Sequence, residues 1–130
     1  MREELFVKPL YMWIIRGDYP GKAVPELMKL VAEAVYGREI ELIRSGICPF
    51  CGRRYRKILQ HLVGKSRKVG SCSSQFMSMV VDIIRAYMSL KEKIVKSSSA
   101  YVVFGRRFKH IHDARIYAVN QVYGDPKVKK

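Results

Sequence analysis

The chain contains no threonine, one asparagine (Asn120) and three glutamines. Thermolabile amides are therefore scarce, while Lys, Arg and Glu are plentiful, a balance that fits a protein from a hyperthermophile. Long apolar runs are also missing. The longest, Pro9 to Ile15, falls far short of the roughly 20 residues that cross a bilayer, so a membrane-spanning role is not expected. Met1 to Val7 is charged where a secretory leader would be apolar, and three cysteines cannot all pair with one another. An intracellular protein is the expectation, although intracellular proteins of hyperthermophiles do carry disulfides. Finally, carboxylates are absent from the whole stretch between Leu42 and Val81.

What is present is 130 residues, 48% hydrophobic and 28% charged, with a formal net charge of +14. That length supports one compact domain, and the apolar content is enough for a core. The charge is unevenly spread. Residues 1–43 hold six Lys or Arg against seven Asp or Glu, whereas residues 44–130 hold nineteen against four. A solvated face normally mixes the two signs, so the surplus after residue 43 points to a polyanion, nucleic acid before an anionic membrane surface or an acidic protein.

Local patterns divide the chain into four stretches. Residues 1–46 read as strand, helix, strand. Lys8 to Ile15 is rich in aromatic and β-branched residues, and Gly17 to Gly21 breaks it. A helix then runs from Pro25 to a stop at Gly37, and Ile40 and Leu42 alternate in a second short strand. Residues 47–72 hold a cysteine pair, a basic helix over Arg53 to Val63 with Tyr55, Ile58, Leu59 and Leu62 on its inner face, and a Gly/Ser loop from Gly64. Residues 73–123 begin with a long helix capped by Ser73 or Ser74 and running to about Lys96. Its apolar face carries Phe76, Met79, Val80, Ile83, Ile84, Tyr87, Leu90 and Ile94, an arc wide enough for a core and a homodimer contact. A hairpin over 101–112 and a last helix capped by Asp113 complete the core, with a basic tail at 124–130. The expected fold is α+β: short strands, a long central amphipathic helix and a metal-knuckle module.

The sharpest local signal is Cys48-Pro49-Phe50-Cys51-Gly52. Two thiolates two residues apart, with glycine next, let the backbone fold round a metal ion and aim its amides at the sulfurs. The segment resembles the knuckle of rubredoxins, zinc ribbons and zinc fingers. Tyr55, just beyond the second Cys, and the basic residues that follow are similar to the two-Cys, two-His finger family, in which a helix reads DNA. The likeness covers about Ile47 to Leu62. It departs from the family in the nine residues between Cys51 and His61, where about twelve are usual, and in lacking a second His at the usual spacing. A tetrahedral structural zinc site would be completed by His61 and Cys72, with His110 or His112 as alternatives to Cys72. His110, His112 and Asp113 would otherwise point to a metal nuclease, for which no second carboxylate can be placed. Cys-Pro-Phe-Cys also resembles the glutaredoxin active site, with Cys48 as nucleophile, but no Thr-Val-Pro strand or Gly-Gly turn follows.

The nucleic-acid-binding residues expected from this layout are Arg53, Arg54, Arg56 and Lys57 on the helix, and Lys65, Arg67 and Lys68 on the loop, seven cations within sixteen residues. Arg106, Arg107 and Lys109 on the hairpin resemble the wing of a winged-helix domain. The sequence thus predicts a zinc-stabilised protein that binds double-stranded DNA as a transcriptional regulator or DNA-organising protein. No catalytic constellation is found, so an enzyme is not expected. Size, basicity and knuckle together resemble the orphan proteins encoded by viruses of hyperthermophilic archaea, which would place it in the host cytoplasm. The alternatives are an RNA-binding protein stacking bases on Tyr55, Tyr101, Phe104 and Phe108, a virion or scaffold oligomer that packs genome without reading it, and a thiol oxidoreductase.

Overall fold

The structure, a computed structural model, describes residues 4–17, 24–63 and 71–124. Among these residues five helices and a small antiparallel sheet make the expected α+β fold, but both elements of the first third are helices. The segment expected as a strand from Lys8 lies within helix α1 (Glu4–Arg16). A continuous apolar run does not by itself separate strand from helix. Here Leu10, Trp13 and Ile14, spaced three and four apart, bury one helical face, and Pro9 is carried inside the helix although it contributes no N–H.

Helix α2 (Glu26–Arg44) takes in both the expected helix and the expected second strand. Pro25 stands just before it as N-cap rather than in its first turn. Gly37 does not stop it. The backbone bends instead at Tyr36, whose φ of −125° and ψ of 25° leave helical values. The Tyr36 hydroxyl donates to Asp82 Oδ2 at 2.6 Å, fastening the bend to the long helix alongside. The last turns then bury Ile40 and Ile43, so their alternation with Glu39 and Glu41 is one side of a helix seen over too short a window.

Helix α3 (Ile58–Leu62) is a single turn and a half. Helix α4 (Cys72–Lys91) starts one residue before the expected caps, because the Ser71 side chain accepts the Ser74 N–H and closes the first turn. Phe76, Met79, Val80, Ile83, Ile84, Tyr87 and Leu90 are buried on it as the helical spacing predicts. It ends at Lys91, short of Lys96, because a third strand precedes the expected hairpin: β1 (Val95–Ser97), β2 (Ala100–Val103) and β3 (Arg106–Phe108) form a meander in the order β1-β2-β3. Helix α5 (Ile111–Tyr123) follows, with His110 rather than Asp113 at its N-cap.

One hydrophobic cluster joins these elements. Helix α2 packs on α1, α4 and α5, and α5 also backs β2 and β3. Arg44 ties α1 to α2, with Nε and Nη2 donating to the carbonyls of Ile14 and Trp13 while its guanidinium lies 4.7 Å from the Trp13 ring centre. Among the described residues no helix is long and apolar enough to cross a membrane.

Candidate metal centre and its basic surroundings

The cysteine pair sits in a tight hairpin directly after α2. Ile47 and Arg54 form an isolated antiparallel bridge, the Cys48 N–H donates to the Arg53 carbonyl, and the Tyr55 N–H donates to the Gly46 carbonyl. Between the strands of this hairpin, the Gly52 N–H returns to the Cys48 carbonyl at 2.8 Å with φ of +76° at Gly52, a left-handed backbone that a side chain would strain. The knuckle is therefore built by backbone bonds, and it consumes residues that the sequence pattern assigns to a helix. Arg53 and Arg54 lie in the hairpin, Arg56 in a turn, and Lys57 is the N-cap of α3, so no basic recognition helix exists at this place. The physical reason is local. The bridge and the bond from the Cys48 N–H fix Arg53 and Arg54 in extended backbone before a helix could begin.

The structure brings Cys48, Cys51, His61 and Cys72 together. One donor atom from each lies within 4.8 Å of all the others. Cys48 is fully buried at the hairpin start, Cys51 faces outward, His61 comes from α3 and Cys72 is the first residue of α4. Around a tetrahedral zinc ion, sulfur at about 2.3 Å and nitrogen at about 2.0 Å stand roughly 3.5–3.8 Å from one another. The Cys51 Sγ to His61 Nε2 separation is 3.8 Å. Three thiols and an imidazole form a donor set that a structural metal ion accepts, with no position left over for substrate. His110 and His112 do not join the cluster. His110 caps α5, and His112 Nδ1 is hydrogen-bonded to Glu26 Oε2.

Tyr55 supports the cluster from outside. Its ring stacks on His61 at 3.8 Å between centres and 15° between planes, and its hydroxyl lies 3.3 Å from Cys51 Sγ. That hydroxyl, and then the Arg53 N–H, favour the Cys51 thiolate and draw its pKa down to about 6. Donation to Cys51 in turn pushes Tyr55 up to about 12. Cys72 is pushed up to about 12, first by burial and then by its bonds to the other two thiols, as expected of three thiols sharing one proton-poor space before a cation enters. The resemblance to glutaredoxin ends here: Cys48 is buried and opens a turn rather than a helix, and the depressed thiol is Cys51.

No family model, no curated protein and no solved structure matches this chain. Its chemistry has to be read from its own residues.

Of the expected cations, Arg53, Arg56 and Lys57 are exposed, and Arg54 is exposed with its Nη1 held by the Ser45 carbonyl at 3.1 Å. Lys65, Arg67 and Lys68 lie outside the described residues. On the meander, Arg106 lies 5.4 Å from the Tyr117 ring centre, while Arg107 and Lys109 are exposed. The sequence pattern misses Arg16. It ends α1, and with Arg56, Lys57 and Gln60 it lines a cleft of about 310 Å³ floored by Ile15, Ile58 and Leu59. Because Arg16 falls in the charge-balanced first third, segment counting hides it. The fold sets the end of α1 on the same cleft as α3 and so puts it beside the later cations. Of the aromatics expected to stack bases, Tyr55 is engaged by His61, Phe108 packs on Tyr117, Tyr101 is half-buried, and Phe104 is exposed at the β2–β3 turn.

Proposed function

We propose that this is a zinc-stabilised protein that binds double-stranded DNA through its phosphate backbone and organises it, without base readout as its main source of affinity. The observation that carries the reading is the cleft in which Arg16, Arg56 and Lys57 converge and which no carboxylate among the described residues lines. Cations gathered this way, with a bedding of aliphatic side chains, suit a row of phosphates better than a protein carboxylate, which would need only one partner. Zinc, held by Cys48, Cys51, His61 and Cys72, would keep the knuckle and α3 in the place that completes the cleft. The β2–β3 hairpin, with Arg107 and Lys109 outward, acts as a wing and supplies a second set of phosphate contacts. A turn instead of a helix at Arg53 to Lys57 favours backbone contact over insertion into the major groove, and so an organising role over that of a sequence-reading regulator.

The test is a fluorescence-anisotropy titration of a labelled duplex against the zinc-loaded protein over a series of salt concentrations. Each phosphate contact contributes about 0.9 to the slope of log affinity on log salt. Changing Arg16, Arg56 and Lys57 together to Ala should lower that slope by about 2.7 and weaken binding equally for unrelated duplexes. An unchanged slope in a variant that retains its zinc and its circular dichroism refutes the assignment. Preference for single-stranded RNA over duplex at equal salt refutes the choice of DNA.

A further inference from the structure

A second site lies away from the metal centre and shares no residue with it or with the cationic cleft. Where the start of α2, the end of α4, the sheet and α5 meet, the fold leaves a cavity of about 400 Å³. This is within the range of small-molecule sites, about 300–1,000 Å³. Its walls are apolar and aromatic: Leu27 from α2, Tyr87 from α4, Tyr101 from β2 and Ile111 from α5. Three cations complete it, Lys91, Lys96 and Arg115, and no carboxylate lines it among the described residues.

The placement of these cations follows from the secondary structure. Lys96 is paired directly across from Tyr101 in the β1–β2 register, so the two share a sheet face. That face also carries the buried Val103, two residues beyond Tyr101, and is therefore the one turned to the helices. Lys96 is itself exposed, so on this edge strand its side chain stands at the open rim of the cavity. Lys91 stands at the last turn of α4, its Nζ 5.8 Å from the Tyr87 ring centre. Arg115 is held in position by Glu26, whose Oε1 accepts from its Nη1 at 2.9 Å while Oε2 takes His112. Glu26 therefore offsets one cation of the three. Neither lysine has a carboxylate partner among the described residues.

We propose that this cavity binds a small organic anion, a single carboxylate or monophosphate head carried on an aromatic or aliphatic body. The head would lie between Lys91 and Lys96, and the body on Leu27, Tyr87, Tyr101 and Ile111. The pairing of an apolar bed with two exposed lysines at its rim, neither of them salt-bridged, selects for that shape of molecule. A neutral apolar ligand gains nothing from the lysines, and an inorganic anion leaves the bed empty.

The test uses 8-anilino-1-naphthalenesulfonate as a fluorescent anionic probe on the zinc-loaded full chain, with N-phenyl-1-naphthylamine as the neutral probe of the same body. Saturable binding of the sulfonate at one site per chain, at least about tenfold tighter than the neutral probe, is expected from one or two charge-assisted contacts. Displacement by 1-naphthoate and by 1-naphthyl phosphate, compared at equal concentration, shows which head group the site takes. Lys91→Met with Lys96→Met should weaken the sulfonate about tenfold or more and leave the neutral probe unchanged. The wild-type comparison of the two probes decides the matter even if that variant fails to fold. Equal affinity for both probes, absence of saturable binding, or an unaltered affinity in a folded double variant overturns the proposal. So does stoichiometric displacement of the probe by a short DNA duplex, which would assign these cations to the polynucleotide surface.

Discussion

Removal of the proposed zinc should unfold one segment and spare the rest. Residues 47–63 hold the hairpin and α3, and ordering these 17 residues costs about 20–25 kcal/mol at roughly 1.2–1.5 per residue. Cys48, Ile58 and Leu62 are buried there, and Phe50 and Tyr55 pack partly on the core, which together return about 8–10 kcal/mol. Seven backbone hydrogen bonds that fasten the hairpin and α3 return about 7 at roughly 1 each. A shortfall of about 3–10 kcal/mol remains, and a structural zinc site contributes about 10–16 at neutral pH, enough to close it. The main cluster of α1, α2, α4 and α5 has no such dependence on the metal, because most of its buried residues contact one another. Hydrogen–deuterium exchange read by mass spectrometry, before and after treatment with a strong chelator, tests this directly. The amides of Cys48, Gly52 and Tyr55 should lose their protection on chelation, while those in the middle of α2 and α4 keep theirs. If the knuckle amides stay protected after elemental analysis shows the metal gone, the segment stands by itself and the staple argument is wrong. If α2 and α4 open at the same time, the division into a dependent segment and an independent core is wrong.

Phe76→Ala removes a fully buried ring from the middle of the core and should destabilise the protein by about 3–5 kcal/mol in denaturant unfolding, with zinc content unchanged. Gly52→Ala meets no atom within 4 Å but must adopt φ of +76°, at a cost of about 1–2 kcal/mol, so competition with a zinc chelator should show weaker metal affinity while the core melts as before. Burial alone would raise the pKa of Glu26, but the bonds from Arg115 and His112 more than offset it, leaving the carboxyl below its ordinary value of 4.5. The pairing is therefore fully present above about pH 4.5 and fades as pH falls through the lower folded value. Since the Glu26 side chain is 37% exposed, solvent screening limits its worth to about 0.5 kcal/mol. Glu26→Gln should lower stability by that amount at neutral pH and leave it almost untouched below the folded value, so that the acid limb of the stability curve flattens.

The parts of the molecule that were legible in the sequence are those where one physical signal acts alone. The apolar face of α4 repeats through seven buried positions with nothing to compete with it. The cysteine pair declares itself by spacing, and His61 and Cys72 follow because a tetrahedral ion needs four donors. Other elements were hidden by competing signals. Lys8 to Ile15 is apolar on both sides, so its period suits strand and helix equally, and packing on α2 decides for helix. Gly37 resembles a terminator, but tertiary contact from Tyr36 to Asp82 carries the chain past it as a bend. Arg53 to Lys57 separates well on a helical wheel, yet the bridge at Arg54 and the bond into Arg53 belong to the hairpin that the cysteines demand. Two features of the same stretch of chain competed, and the one with backbone bonds prevailed.

The three-stranded meander has a consequence for how copies of this protein meet. A small open sheet normally invites edge-to-edge pairing, since its outer strands hold unanswered amide groups that another chain can extend. Both outer strands here are only three residues long. One carries Lys96 and the other begins with two consecutive arginines, Arg106 and Arg107. A second copy approaching either border would bring like charges together at strand spacing before a single ladder bond formed. The ribbon is thus poorly suited to templating aggregates. Repulsion between the borders works against two copies joining through this sheet.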